Sequence, residues 1–249
     1  MGMLDLANFT LRDMTELGSV LRRLDQGAQS MEEVANRVVR YLYEHLGETA
    51  TGAHSCALVR FFKTHAYAEL DSELRDFARG MLPDRRPAPD MKCLALLATA
   101  GERPEWNRRE ASVAHKAIPL ASEELVNKFP MISNLVRQLG IEVEALVKPT
   151  PGLLVESESS SFNVFHVLDA RGSAYIPDQV DFVEPLGIES VLGLGGMLPR
   201  RDIFSVILFS KVSIPRETAE LFRTLALNVK MAVLPFDESV FSRAQGEGT

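Results

Sequence analysis

The order of elements predicted between Phe162 and Phe236 restricts the fold of this chain more than any other feature of its sequence. Apolar runs bounded by polar residues predict three strands, and a helical period of apolar residues predicts one long amphipathic helix after them. A short polar turn separates the last two strands, which favours antiparallel pairing. The predicted elements are strands at Phe162–Leu168, Ser190–Met197 and Ile203–Phe209, a turn or short helix at Asp178–Gly187, and a helix from Pro215 to about Leu234.

The residues upstream of Phe162 predict a further mixture of helices and strands. Apolar residues spaced three and four apart predict helices in Phe9–Gln29 and Met31–Leu46, the second with Ser30 as its N-cap. Short, mostly antiparallel strands with helices at both ends and in the middle predict an α+β fold. The other predicted elements are strands at Cys56–Phe62 and Cys93–Ala98, helices at Asp71–Leu82 and Glu123–Leu139 (broken or kinked at Pro130), an irregular segment at Glu102–Pro119 and a connection at Lys148–Ser161.

Three blocks after Phe162, "FVEPLGIESVLGLGGML", "RRDIFSVILFSKVSI" and "PRETAELFRTLALNVKMAVL", resemble the C-terminal half of a GAF domain. Together with the earlier blocks "GERPEWNRREASVAHKAIPL" and "FPMISNLVRQLGIEVE", they are similar to the GAF-like sensory region found upstream of PAS and kinase modules in bacterial sensor histidine kinases. The resemblance implies a central, mostly antiparallel sheet of about five to six strands. It also implies that the N- and C-terminal helices cover one face of the sheet and that a ligand pocket lies on the other.

The chain is therefore predicted to contain one GAF-like domain, residues 30–236, between a helical arm and a tail. The arm covers residues 1–29, and the polar tail, residues 237–249, is predicted to be disordered. A helix between the first two strands is not the hairpin usual in GAF domains, so the strand order around residues 71–90 stays open. Eight residues are predicted to be buried in one antiparallel sheet: Leu58, Phe61, Leu94, Leu96, Val164, Val191, Val206 and Leu208.

The charge balance argues against nucleic acid as a partner. The 27 Lys+Arg residues and 34 Asp+Glu residues give a formal net charge of -7, and an acidic chain repels phosphate backbones. Basic pairs such as Arg85-Arg86 are too short to form a binding patch. The chain also has no apolar run of about 20 residues that could cross a membrane, and no signal peptide at Met1–Asn8.

The sequence predicts neither a metal site, a cofactor nor an active site. Its His and Cys residues lack the spacing of a structural metal site, and no nucleophile elbow, P-loop or kinase signature occurs in it. Gly193, Gly195 and Gly196 precede a strand rather than a helix, which favours a bulge or a close backbone approach over a phosphate loop. Cys56 and Cys93 fall at opposite ends of the predicted hairpin, so they are predicted to be free thiols of a cytoplasmic protein.

A ligand site is predicted where aromatic and basic residues cluster, in loops that the resemblance places over the open face of the sheet. A tryptophan can stack on a flat ligand and an arginine can bind a carboxylate or phosphate bidentately, so the expected ligand is a small planar anion, such as an aromatic acid or a nucleotide. The alternative is that Trp106 anchors the loop, the two arginines cap helices or pair with acidic residues, and His166 belongs to the core. The predicted ligand-binding residues are Trp106, Asn107, Arg108, Arg109, His115, His166 and Tyr175.

The N-terminal helix is predicted to form a dimer interface. Its apolar residues repeat near the coiled-coil period, and a stripe of this length needs a partner to be stable. The resemblance implies a homodimer in which helices transmit the signal, and the alternative is that Phe9–Gln29 docks on its own domain. The predicted interface residues are Leu11, Met14, Leu17, Leu21 and Leu24, with a matching stripe of Phe222, Leu225, Val229 and Ala232 in the C-terminal helix.

These features predict a non-enzymatic sensory or regulatory domain of bacterial two-component signalling. We expect it to work in the cytoplasm, to bind a small molecule and to act through a helical dimer on a downstream signalling protein. The alternative is a ligand-free scaffold for protein–protein association, and an enzyme on this fold would need an acid/base pair that the sequence does not show. A sensor should have a concave cavity with converging polar groups, whereas a scaffold should fill that space with Leu, Phe and Met side chains.

Overall fold

One antiparallel sheet forms the centre of the computed structural model, which describes residues 2–48, 51–82, 86–138, 143–147 and 162–241. The strands are β1 (Cys56–Ala66), β2 (Lys92–Gly101), β3 (Ala117–Pro119), β4 (Phe162–Val167), β5 (Ser190–Met197) and β6 (Ile203–Ser210). Within the described residues they pair in the order β3-β2-β1-β6-β5-β4, and every neighbouring pair is antiparallel. The predicted sheet is confirmed, and each of its eight predicted core residues is at most 7% exposed.

The helices cover both faces of this sheet. They are α1 (Leu11–Leu21), α2 (Met31–His45), α3 (Ser72–Gly80), α4 (Glu123–Asn127), α5 (Pro130–Gln138), α6 (Val143–Val147) and α7 (Arg216–Val233). Helices α1, α2 and α7 share one apolar cluster with one face of the sheet, and α4 and α5 share a second cluster with the other face. The predicted α+β fold class, with the terminal helices on one face as the resemblance to GAF domains implies, is confirmed.

Strand β1 shows how the sheet separates the two clusters. Side chains of successive strand residues point to opposite faces. Val59 and Phe61 therefore lie in the cluster that α1, α2 and α7 cover, while Leu58 and Phe62 lie in the cluster on the α4–α5 side. Arg60 has the same parity as Leu58 and Phe62, so its side chain emerges on the α4–α5 side.

Three segments differ from the prediction in their details. Helix α3 is inserted between β1 and β2, yet the two strands remain antiparallel neighbours, which settles the order left open around residues 71–90. The helix predicted at Glu123–Leu139 is two helices, because Pro130 has no N–H for α4 and is the first residue of α5 instead. Strand β3 lies within the segment predicted to be irregular, since three residues at a sheet edge are too few to show a strand pattern.

The N-terminal arm packs on its own domain. Leu17 and Leu21 are 0% exposed and belong to the apolar cluster that α1 shares with α7. A Cβ atom on Gly18 would lie 2.7 Å from Nδ2 of Asn228, so the close approach of the two helices requires a small residue there. The arm thus follows the alternative of docking within the chain.

The first residues of the predicted tail also pack on the domain. The backbone oxygens of Ser239 and Val240 accept hydrogen bonds, 3.0 and 2.8 Å long, from the first two amides of α2. Such first-turn amides have no partner inside their own helix. The predicted disorder therefore does not extend to residues 237–241, whereas residues 242–249 and the connection predicted at Lys148–Ser161 lie outside the described residues.

The glycine-rich part of β5 pairs directly with β6. A Cβ atom on Gly195 would collide with the backbone oxygen of Phe204 on the neighbouring strand. The predicted close backbone approach is therefore confirmed at Gly195, and the glycines belong to a strand rather than to a phosphate loop.

Both cysteines are free and buried, as predicted. Cys93 lies opposite His65 at one end of the β1–β2 pair, whereas Cys56 lies at the other end of β1. Burial raises the pKa of each thiol to about 12, so both remain protonated and unreactive at neutral pH.

Candidate ligand-binding cavity

A cavity of about 440 Å³ lies between the sheet and the segments that cover its α4–α5 face. The cover consists of residues 103–118, the junction of α4 and α5, and residues 175–182. This volume falls in the range of about 300–1,000 Å³ that is typical of small-molecule sites. The sheet contributes Leu58, Arg60, Phe62, Leu94, Ile207 and Phe209 to the lining.

Aromatic side chains form much of the cavity wall. The rings of Trp106 and Phe182 meet edge to face with centroids 5.8 Å apart, and Phe182 meets Phe209 in the same way at 4.9 Å. Phe129 lies at the junction where Pro130 ends one helix and begins the next. The flat faces of these rings suit a ligand that contains a ring of its own.

Arg60 is the buried charge of this cavity. It is 8% exposed, and its guanidinium donates to the Ser112 hydroxyl at 3.2 Å and, at 3.4 Å, to the backbone oxygen of Ala114. Its Nε atom is buried and has no hydrogen-bond partner, and among the described residues no carboxylate pairs with it. Desolvation lowers the pKa of Arg60 to about 10, so it is still a cation at neutral pH.

His115 lies at the cavity mouth in an unusual backbone conformation. Its φ of 59° falls in the left-handed region, which few residues other than glycine adopt, and its ring meets Phe129 edge to face. The residue is exposed, but desolvation of its ring by the surrounding protein lowers its pKa, Arg60 lowers it further, and Asp178 opposes this shift. The neutral imidazole can both donate and accept a hydrogen bond.

The mouth also has charged groups of both signs. The guanidinium of Arg103 lies 4.8 Å from the ring centroid of Trp106. Lys128, Asp178 and Asp181 complete the set, and all four charged residues are exposed. Solvent screens these charges far more than it screens Arg60.

Three of the predicted ligand-binding residues line this cavity. Trp106 is 7% exposed and lies inside, whereas His115 and the 45% exposed Tyr175 lie at the mouth. The sequence thus predicted one residue of the cavity wall and two residues of its mouth as neighbours.

The two predicted arginines do not line the cavity. Arg109 points toward α2 and α3, where it pairs with Glu32 at 3.0 Å and Asp71 at 3.2 Å. Arg108 is exposed and lies outside the lining. Arg109 therefore follows the alternative of pairing with acidic residues.

Asn107 and His166 also lie away from the cavity. The Asn107 amide holds its own loop by donating to the backbone oxygens of Gly101 and Arg103 at 2.9 and 3.0 Å. On β4, His166 has the same parity as Val164, which belongs to the cluster covered by the terminal helices. Desolvation lowers its pKa, as expected for a histidine that packs against the core.

The residue that sequence reasoning missed is Arg60. The strand containing it, "CALVRFF", was interpreted as one apolar run, although an arginine inside such a run must either be buried with a partner or face a cavity. A single charged residue within this apolar run was the feature of the sequence that could have identified Arg60 as a cavity residue.

The predicted dimer residues divide into two groups. Leu17 and Leu21 are buried by their own chain, and Met14 and Leu24 are partly buried against the same core. Leu11 is 65% exposed. Of the five, Leu11 alone is well placed to meet a second chain.

In the part of the chain that the structure describes, no helix combines the length and the apolar character needed to span a bilayer. The same residues contain no group of three or more His, Cys, Asp or Glu side chains placed to hold a metal ion.

Comparison with known proteins gives structural similarity but no match to a family model or a curated protein. Among solved structures, the chain is similar to the GAF domain from a phosphoenolpyruvate-protein phosphotransferase (ptsP) from Coxiella burnetii, with 12% sequence identity, coverage of 90% of this chain and 93% of that chain, and a TM-score of 0.43. The fold described above rests on the strand order and helix placement of the chain itself.

Proposed function

We propose that this chain is a GAF-like sensory or regulatory domain that binds a small organic molecule in the cavity between the sheet and the α4–α5 junction. The observation that carries the proposal is the cavity itself, which is walled by aromatic residues and contains a buried arginine without a carboxylate partner. A ligand-free scaffold would fill this space with side chains.

We propose a binding role rather than catalysis. Among the described residues, the cavity lining includes no serine, threonine or cysteine that could act as a nucleophile. Its carboxylates, Asp178 and Asp181, are exposed at the mouth. An acid/base pair with displaced pKa values would be the usual mark of an active site.

The proposed signal passes through the sheet to the helices on its other face. Strands β4 and β5 contact both the cavity-side cluster and α7, and α7 in turn contacts α1. A ligand that shifts the sheet would therefore shift the helix pair. We propose that these helices act on a downstream signalling protein of a two-component pathway, within a cytoplasmic homodimer.

A thermal-shift screen of the purified chain against a panel of small metabolites tests the binding role. A ligand at a hundred times its dissociation constant stabilises the fold by about 2.7 kcal/mol, which raises Tm by about 5 °C or more for a chain of this size. Ala114→Trp should abolish the shift, because Ala114 lines the cavity and a bulky ring would fill it. Ala111→Trp is the matched control, since Ala111 belongs to the same loop but not to the lining. If no compound raises Tm, the ligand-free scaffold is the better description.

A further inference from the structure

The cavity contains one buried cation that nothing in the described part of the chain neutralises. Arg60 is 8% exposed and forms no ion pair there, although burying an unpaired charge is costly. Two of its five N–H groups are used, one by the Ser112 hydroxyl and one by the Ala114 backbone oxygen. The guanidinium lines the cavity and has further N–H groups beyond these two, and such a group binds a carboxylate through charge-assisted hydrogen bonds.

A second unpaired polar group lies directly opposite this arginine. Thr99 on β2 is the antiparallel partner of Arg60 on β1, so their side chains emerge on the same face of the sheet. Its hydroxyl is fully buried and also has no hydrogen-bond partner. Buried polar groups are nearly always paired in native proteins. Of these two adjacent exceptions, Arg60 lines the cavity and Thr99 does not, so Arg60 is the residue that a polar group of a ligand would meet.

The charged residues of the cavity favour a ligand with a single negative charge. Arg60 supplies one positive charge in the interior, and the exposed cations at the mouth, Arg103 and Lys128, are balanced by Asp178 and Asp181. A singly charged carboxylate would neutralise the interior. A phosphate ester with two charges would leave one of them uncompensated among apolar side chains, at a high desolvation cost.

The aromatic walls of the cavity favour a ligand whose uncharged part is a ring. Trp106, Phe129, Phe182 and Phe209 surround the space beyond Arg60, and flat aromatic faces favour stacked or edge-to-face contacts. A volume of about 440 Å³ lies toward the small end of the range for ligand sites, which suits one or two rings.

We infer that the cavity binds a small aromatic monocarboxylate, whose carboxylate pairs with Arg60 and whose ring packs against the aromatic wall formed by Trp106, Phe129, Phe182 and Phe209. This inference rests on the proposed function and adds the ligand class and the residue that selects it.

Matched pairs of acids and amides test the inference. Dissociation constants of benzoate, phenylacetate and indole-3-acetate are measured by calorimetry, each against its primary amide, with phenyl phosphate as the dianion. At least one acid should bind the wild-type chain about thirtyfold more tightly than its amide, because losing one partner of a buried charged hydrogen bond costs about 2 kcal/mol or more. Arg60→Met should reduce this ratio to about one, and Arg60→Lys should restore part of it by keeping the charge without the fork.

Arg108→Met is the matched control, because Arg108 is exposed outside the cavity and its loss should leave the ratio unchanged. Arg60→Met should fold with an equal or higher Tm, since it removes an unneutralised buried charge. Equal affinities for acid and amide, tighter binding of phenyl phosphate, or a ratio that survives in Arg60→Met would each overturn the inference. If only the amides bind, the inferred ligand class is wrong but the proposed binding function stands. If none of these compounds binds, the inferred ligand class is also wrong, and the metabolite screen then tests the proposed function.

Discussion

Two buried cations on one strand meet opposite electrostatic environments. Lys63 is 1% exposed, and its Nζ lies 2.8 Å from a carboxylate oxygen of Asp202 and 3.9 Å from Asp237. Arg60 emerges on the other face of β1 and pairs with no carboxylate of the described residues. Because burying a charge without a partner is costly, the first cation is paired within the fold, whereas the second is the one that we propose pairs with a ligand.

His65, the buried histidine of the same strand, gives the residue-scale prediction. Burial lowers its pKa to about 3, and the charge of Lys63 adds to this effect. Since the pKa in the unfolded chain is about 6.5, the neutral folded form contributes stability that is present above about pH 6.5 and is lost as the pH falls toward 3. Between about pH 6 and pH 4.5, the free energy of unfolding should therefore fall by about 1.4 kcal/mol per pH unit more in the wild type than in His65→Gln.

Urea unfolding at half-unit pH steps measures this difference. The comparison with His65→Gln cancels the contributions of the other histidines and of the carboxylates that begin to titrate near pH 4.5, since both proteins share them. Parallel pH profiles for the two proteins would contradict the prediction.

At the scale of single residues, the sequence predicted the aromatic and histidine residues of the cavity better than it predicted the cavity's buried charged residue. Trp106 and His115 stood out in a polar loop, and both line the cavity. In the sequence, Arg109 looked as suitable for a ligand site as Trp106 and His115. Only the folded structure shows that its side chain points away from the cavity and pairs with Glu32 of α2. Arg60 was missed because the apolar residues around it outweighed one charge in the strand pattern.

Elements with long, regular patterns were predictable from the sequence. Strand β5 has the predicted bounds, β6 is one residue longer at its C-terminal end, and α7 is one residue shorter at each end. Strand β3 was not predictable, because three residues become a strand only through pairing with β2. For α1, the period shows that Leu17 and Leu21 share a face, but it cannot tell whether their own α7 or another chain covers that face.

The C-terminal segment 237–241 provides the prediction at the scale of elements. Its last residue, Phe241, places its ring 5.1 Å from that of His65 and 5.7 Å from the guanidinium of Arg109. The preceding backbone closes the N-terminus of α2. Phe241→Ala should therefore lower the free energy of unfolding by about 1–2 kcal/mol, less than for a fully buried phenylalanine because the ring is half-buried.

Chemical unfolding measures this loss, and Glu238→Ala is its control because Glu238 lies in the same segment with an exposed side chain. A loss of similar size in both variants, or in neither, would show that the ring does not hold the segment in place.

At the scale of the whole molecule, the proposed function assigns a role to each face of the sheet. The candidate cavity lies on the α4–α5 side, and the helices proposed to contact other proteins lie on the opposite side. Within the described residues, each face has its own apolar cluster, and the strands between them are the shared element. This arrangement fits a module in which a ligand on one side alters association on the other.

The association of two chains remains a prediction, and because the apolar face of α1 is buried within its own chain, we now expect the interface on the exposed face of α7. Leu227 and Met231 are 44% and 48% exposed and lie one helical turn apart. Light scattering should give a mass near twice 27.6 kDa. Leu227→Glu combined with Met231→Glu should yield a folded monomer, because two carboxylates would be buried without partners in the interface.

Two controls separate association from folding. Val113→Glu with Val180→Glu adds the same charge at exposed apolar positions on the cavity side, so it should leave the dimer intact. Leu17→Glu should instead unfold the chain, since Leu17 is 0% exposed within its own core. A wild-type monomer at high micromolar concentration would refute the dimer, and a dimer that withstands the α7 double variant would place the interface elsewhere. In that second case the exposed Leu11 at the start of α1 becomes the residue to replace next, because it is the one predicted interface residue that the fold leaves open to solvent.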